Sequence, residues 1–212
     1  MNTAPPPRPL EETVAIVGVG LIGGSLAAAL KARRAARRVI GVGRNAQRLA
    51  HAKSAGLIDE GFTDAAAAAQ QAQFTVVCTP VDHIVNDVRQ MSNAMPSESL
   101  ITDAGSVKAT ICGPLADLTA GRVTFIGSHP LAGSEKQGFE HASAELFAGR
   151  LCVITPTSGS PANQVERLHQ FWQSLGMRTV ESSPEQHDLA LASTSHVPHA
   201  IAADVLGADA HT

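Results

Sequence analysis

Thr13-Val14-Ala15-Ile16-Val17-Gly18-Val19-Gly20-Leu21-Ile22-Gly23 decides the fold of this chain. Thr13–Val17 is apolar and β-branched, as expected of a strand buried on both faces. The G-x-G-x-x-G that follows opens a helix read as Leu21–Ala32. Glycines at this spacing allow a tight turn, close approach of a pyrophosphate, and close packing of helix on strand. The helix N-terminus adds free N–H groups and a partial positive charge for the phosphates. Alone, the motif is also compatible with a Gly-rich turn that binds nothing. Its position between strand and helix, at the head of a β-α-β unit, favours dinucleotide binding by Gly18, Gly20, Leu21, Ile22 and Gly23.

Working outward, short apolar runs alternate with longer helical stretches. Val39–Val42, Phe74–Cys78, Leu100–Asp103, Val123–Ile126 and Leu151–Ile154 read as further strands. Ala46–Ala55, Asp64–Gln71, His83–Met91, Val107–Leu118 and Asn163–Leu175 read as helices between them. This alternation predicts an α/β fold of Rossmann type: a doubly wound, mainly parallel sheet with helices on both faces. After Arg178–Glu181 the chain turns Ala-rich and helical, with Pro198 as a kink or restart. The expected organisation is a tail at 1–12, a dinucleotide-binding domain at 13–183, and the start of an all-helical domain at 184–212. Ala200–Leu206, apolar on most faces, needs a covering partner, so a homodimer is expected.

The 212 residues are 44% hydrophobic and 17% charged, with a formal net charge of −3. No basic block is present, so nucleic acid is not an expected partner. The uncharged stretch Thr13–Leu30 is at the lower limit for a membrane span, but its glycine pattern is better explained by the turn above. The Pro-rich start lacks the basic and apolar regions of a signal peptide. Cys78, Cys112 and Cys152 form no C-x-x-C, which favours free thiols and a reducing, cytoplasmic setting.

Four turns carry candidate chemistry. At the end of the second strand, Gly43-Arg44-Asn45 offers no carboxylate where NAD enzymes hold their ribose hydroxyls. Arg44 could instead meet a 2′-phosphate, favouring NADP, or stack on adenine with NAD bound. Cys78-Thr79-Pro80 closes another strand where such folds commonly meet the nicotinamide half. Ser106, in Thr102-Asp103-Ala104-Gly105-Ser106-Val107-Lys108, reads as a helix N-cap or a site residue. His129 follows the strand Val123–Ile126, at the sheet edge where ligands bind. Pro130 biases it toward extended backbone. It is an acid/base candidate, or a loop histidine bonded within its own turn. His187-Asp188 and Ser195-His196-Val197-Pro198-His199 follow. His196 and His199 would share a helix face, but no cysteine or well-placed acid completes a ligand set, so no metal site is expected.

Taken together, Gly18 to Ser25, Thr102 to Lys108, Gly127-Ser128-His129-Pro130-Leu131-Ala132-Gly133-Ser134-Glu135, His187-Asp188 and Ser195 to His199 resemble the prephenate/arogenate dehydrogenases of tyrosine biosynthesis. The resemblance implies oxidative decarboxylation of prephenate or arogenate with hydride transfer to NADP or NAD. It implies that His129 is the base, that Ser106 orients it, and that Glu135, His196 and His199 line the substrate pocket. It also implies a longer helical domain supplying an arginine for a substrate carboxylate. No such arginine follows Arg178, so either the helical domain is cut short here, or another chain completes the site, or the chain is not a competent dehydrogenase. A nucleotide-binding remnant without catalysis, or another small-acid dehydrogenase, are the alternatives; the latter typically needs a helical-domain lysine, and none follows Lys136.

Overall fold

The structure, a computed structural model, describes residues 9–133 and 135–192. The elements run β1 (Glu11–Val17), α1 (Leu21–Ala32), β2 (Ala36–Val42), α2 (Ala46–Ser54), β3 (Glu60–Phe62), α3 (Ala65–Ala69), β4 (Phe74–Val77), α4 (Val81–Ala94), β5 (Ser99–Asp103) and α5 (Ala109–Cys112). They continue through β6 (Val123–Phe125), β7 (Gly127–Pro130), β8 (Leu151–Thr155), α6 (Ala162–Ser174), β9 (Arg178–Glu181) and α7 (Pro184–Leu191). The first six strands form one sheet in the order β3-β2-β1-β4-β5-β6, and each neighbouring pair is parallel. This is the dinucleotide-binding order, and its reversal between β1 and β4 creates a crevice at the carboxyl ends of the strands.

Alternation along β1 shows why the sheet is covered on both sides. Val14 and Ile16 join Leu26, Leu30, Phe74, Phe171 and Trp172 in one core. Ala15 and Val17 face the other way, toward Ile84, Val88, Met91 and Phe125. A strand buried on both faces has no polar side to display, which is why these runs are continuously apolar. Phe74 stacks on Phe171 with ring centroids 4.2 Å apart, tying α6 to the sheet.

Several sequence expectations need correction. β7, β8 and β9 form a separate three-stranded sheet, with β7 antiparallel to β8 and β8 parallel to β9. Leu151–Thr155 therefore belongs to this second sheet and not to the parallel one. β3, β7 and β9 are too short or too polar to show a strand pattern. Val107–Leu118 does not form one helix: α5 gives way to a 3-10 turn over Gly113–Leu118. Pro114 has no N–H to continue the ladder. β1 begins at Glu11, inside the expected tail, because Arg167 clamps that buried carboxylate with bonds of 2.8 and 2.6 Å. Among the described residues, no helix is long and apolar enough to cross a membrane. Thr13–Leu30 divides between β1 and α1.

Candidate functional site

The glycine turn departs from the carboxyl end of β1. Gly18 has φ +90, a left-handed conformation that disfavours any side chain, and its N–H donates to the Val42 carbonyl at 2.9 Å. A Cβ on Gly23 would lie 2.2 Å from the Gly18 carbonyl oxygen, so this glycine lets α1 pack against the strand end. Gly20 differs: a Cβ there would meet nothing within 4 Å. Two glycines thus serve packing, while the third leaves open space at the start of α1. That pattern fits a phosphate approaching a helix N-terminus.

A cavity of about 470 Å³ opens over this turn. It is lined by Gly20, Leu21 and Ile22, by Cys78, Thr79 and Pro80 beyond β4, by Ser106 beyond β5, and by His129 on β7. The sequence candidates from four separate segments therefore meet in one place. Cys78 is held there by its N–H bond to Val17 O, 2.7 Å, and Thr79 by a hydroxyl bond to Asp87, 2.6 Å. Burial pushes the Cys78 thiol up, so it is no nucleophile at neutral pH. A comparable cleft of about 530 Å³, lined by Glu98, Arg122 and Arg167, lies at the opposite end of β5 and β6, away from the carboxyl edge.

His129 is not in a turn just past a strand, as expected, but inside β7, paired with Val153 of β8. The antiparallel partner supplies a ladder that four residues of Gly-Ser-His-Pro do not announce. Strand alternation then turns His129 and Ser128 to opposite sides. Ser128 is fully buried and knitted to the main sheet. Its hydroxyl donates to Asp103 O at 2.6 Å and lies 2.8 Å from the Thr102 hydroxyl. The Trp172 indole N–H donates to it at 3.1 Å. Its N–H donates to Asp103 Oδ1 at 3.1 Å. Gly127 allows the chain to cross between sheets, since a Cβ there would sit 2.5 Å from Thr155 Oγ1.

Beneath the imidazole lies an ion pair the sequence did not single out. Lys108 and Asp103 are fully buried and bonded to each other, and the ammonium also donates to Ser128 O at 2.8 Å. Asp103 further accepts the Gly105 N–H at 2.8 Å. With partners on both sides the pair is tolerated away from water. The His129 ring bonds to His187, Nδ1 to Nε2 at 3.0 Å, and His187 Nδ1 lies 2.7 Å from Asp188. Asp188 also accepts the Lys108 and Ala109 N–H groups, at 2.7 and 2.9 Å. That makes Asp188, on α7, the cap of α5, in place of Ser106, which caps nothing. Burial, then the Lys108 cation and His187, press the His129 imidazole down to about 4, against an upward pull from Asp188. Burial alone would raise Asp188, but the Ala109 and Lys108 N–H bonds and His187 hold it below the usual carboxylate range.

Other sequence candidates stand apart. Arg44 and Glu135 are exposed and do not line the cavity. His196, His199 and the helix read at Ala200–Leu206 lie outside the described residues. Lys136, noted in the sequence only as the last lysine and not as a site residue, lines the cavity and brings a cation to it. Its exposed position gave no pattern to notice.

The fold order, the glycine turn and the shared cavity define a dinucleotide-binding domain of the kind found in dehydrogenases. Residues 26–181 match the family model for the prephenate dehydrogenase nucleotide-binding domain, and the chain belongs to that family. It is 30% identical over 204 residues to prephenate dehydrogenase of Bacillus subtilis, covering 96% of this chain and 55% of the relative. Among solved structures, arogenate dehydrogenase of Synechocystis is 34% identical with a TM-score of 0.87, covering 94% of this chain and 70% of that one. Prephenate dehydrogenase of A. aeolicus, in complex with hydroxyphenyl propionate and NAD+, is 31% identical with a TM-score of 0.85, covering 93% and 68%. The chain thus spans about half the length of the Bacillus relative.

Proposed function

We propose that this chain carries the cofactor-binding, base-bearing part of an NAD(P)-dependent dehydrogenase that oxidatively decarboxylates prephenate or arogenate. The observation that carries the reading is the shared cavity, where the open face at Gly20 and the half-buried His129 meet. Gly20, Leu21 and Ile22 would meet the pyrophosphate, while Gly18 and Gly23 shape the turn that presents them. Cys78, Thr79 and Pro80 would face the nicotinamide half. When bound, the cofactor supplies a hydride acceptor. The A. aeolicus relative, solved with NAD+, supports nicotinamide use in the family.

Such a substrate carries a hydroxyl and a hydrogen on one ring carbon, and a carboxylate across the ring. As that hydrogen leaves as hydride, the hydroxyl proton must go to a base, and loss of carbon dioxide then aromatises the ring. With its imidazole pressed to about 4, His129 is neutral at physiological pH and free to accept a proton. Positioned general bases are typically worth ~10²–10⁴ in rate. Ser106, in the same cavity, would orient the hydroxyl. By the family resemblance, Glu135, next to the lining residue Lys136, and His196 and His199 would border the substrate. NADP is the favoured cofactor on the strength of Arg44 and the absence of an acid at the end of β2. A homodimer in the cytoplasm completes the reading, in keeping with three free thiols.

The test is substrate-dependent reduction of NADP+ and NAD+ by the full chain, with His129→Asn as the control. Turnover lost in His129→Asn is expected. Cofactor binding without turnover on either substrate would refute the dehydrogenase reading and leave a nucleotide-binding domain.

A further inference from the structure

The base in the cavity is not alone. His129, His187 and Asp188 form an unbroken line of hydrogen bonds that leads from the cavity to a partly exposed carboxylate. We propose that His187 is a positioning residue for the reaction: it fixes the tautomer of His129 and takes over the positive charge that proton abstraction creates. This rests on the dehydrogenase reading above.

The tautomer follows from donor and acceptor counts. Asp188, held below the usual carboxylate range, is ionised and can only accept. His187 Nδ1, 2.7 Å away, must therefore carry the hydrogen. With a neutral His187, its Nε2 has only a lone pair to offer, so His129 Nδ1 must donate across the 3.0 Å contact. His129 Nε2 is left with its lone pair, and no described residue bonds to it. That is the form a base needs. The opposite tautomer of His129 would set two lone pairs against each other and place a hydrogen on Nε2. The His–Asp pairing that orients a catalytic imidazole in hydrolases works by the same logic.

The charge transfer answers a second problem. An imidazole pressed to about 4 is readily neutral but a weak proton acceptor. The groups facing it explain why. Burial acts first, Lys108 beneath β7 and His187 on α7 add to it, and only Asp188 opposes; the buried Cys152 thiol of β8 stays neutral. In the relay, the substrate hydroxyl proton arrives on His129 Nε2. The hydrogen on His129 Nδ1 passes to His187 Nε2. His129 ends neutral again, in its other tautomer, and His187 ends as an imidazolium in direct contact with Asp188. One proton enters and one moves on, with no net change in bonds to hydrogen on His129. The positive charge thereby leaves the neighbourhood of the Lys108 ammonium for that of a carboxylate. His187 is fully buried, while the Asp188 carboxylate reaches solvent, so the line also offers the proton an exit.

Two substitutions separate these roles. His187→Phe removes both; His187→Gln keeps an acceptor for the His129 N–H but cannot take a proton. Nitrogen NMR of the full chain with ¹⁵N-labelled histidine reads which ring nitrogen carries hydrogen, and needs no turnover. Expected are Nδ1–H on His129 in the wild type and in His187→Gln, and a mixed or inverted tautomer in His187→Phe. In turnover, both variants should lose kcat by about 10- to 100-fold, within the range general-base assistance spans, with KM for substrate and Kd for cofactor little changed. A wild-type His129 protonated on Nε2, or a tautomer indifferent to His187→Phe, would overturn the proposal. Full kcat in His187→Gln would overturn the charge-accepting half. Were the wild type itself inactive on both substrates, the dehydrogenase reading would fall, and the NMR result would still decide the tautomer.

Discussion

Gly20 and Gly23 sit three residues apart in one motif, yet the structure gives them opposite vulnerabilities. A methyl group on Gly23 would lie 2.2 Å from Gly18 O and 2.9 Å from Ile16 Cγ2. To restore van der Waals contact, α1 must lift from β1 by about 1 Å, against a densely packed core. Overpacking of this kind costs roughly 1–3 kcal/mol. For a domain of this size that lowers Tm by roughly 2–12 °C. At Gly20 the same methyl meets no atom within 4 Å, and φ is −101, so no left-handed strain is relieved by glycine. Stability should change by no more than about 0.5 kcal/mol. The methyl would, however, occupy the space through which a phosphate approaches the α1 N–H groups. Losing one charge-assisted hydrogen bond, at about 1.5–3 kcal/mol, weakens binding by roughly 10- to 100-fold. Calorimetric unfolding paired with titration of NAD+ and NADP+ reads both effects. The expected pattern is Gly20→Ala folded but poor at binding, and Gly23→Ala destabilised. A Gly20→Ala chain that binds like the wild type would refute the assignment of that open face to the pyrophosphate. A Gly23→Ala chain that melts like the wild type would refute the packing argument.

Other consequences can be checked the same way. Lys108→Met leaves the buried Asp103 carboxylate without its cation and should cost about 3–5 kcal/mol in urea unfolding; replacing both partners with apolar residues should recover most of it. Because Lys108 helps to depress His129, the same change should move the His129 titration, followed by NMR, to higher pH. His129 resists protonation until about pH 4 when folded, whereas an unfolded histidine binds a proton near pH 6.5. Acid therefore favours the unfolded state: stability should fall between these two pH values, by at most roughly 3 kcal/mol and less after solvent screening. His129→Asn should flatten that slope in unfolding curves taken across the range. Arg44→Ala should weaken NADP+ more than NAD+ by about tenfold in direct titration, the loss of one guanidinium–phosphate contact; equal weakening of both would argue for stacking on adenine instead.

The parallel sheet was legible because burial on both faces leaves continuous apolar runs, and because the glycine spacing marks the strand-to-helix turn at the head of the fold. Helix α1 matches its expected limits at both ends. Of the second sheet only β8 was legible, as Leu151–Ile154, and it was read into the parallel sheet. The strands of that sheet are four or five residues long, and β9 is mostly exposed, so no alternation survives to be read. At the site, residues belonging to a spaced motif could be singled out. His187, Asp188 and Lys108 act through contacts spanning some 80 positions of sequence, between α7 and the turn beyond β5. A pattern confined to neighbouring residues cannot carry such information. The cap on α5 shows this well: the local candidate, Ser106, was at hand, and a carboxylate from α7 took the place.

The mounting of His129 has a mechanical consequence. The imidazole rides on the small sheet, while the glycine turn belongs to the large one. What sets the spacing is the rivet at Ser128: a residue one step along the strand, bolted through its hydroxyl, N–H and carbonyl to Thr102, Asp103, Lys108 and Trp172. Side chains alternate along β7, so a one-residue slip would send the imidazole into the core and the serine out. Tolerance in the reacting geometry is therefore machined in the interior. The reach from imidazole to glycine turn is thus fixed from inside the protein and not at the mouth of the cavity.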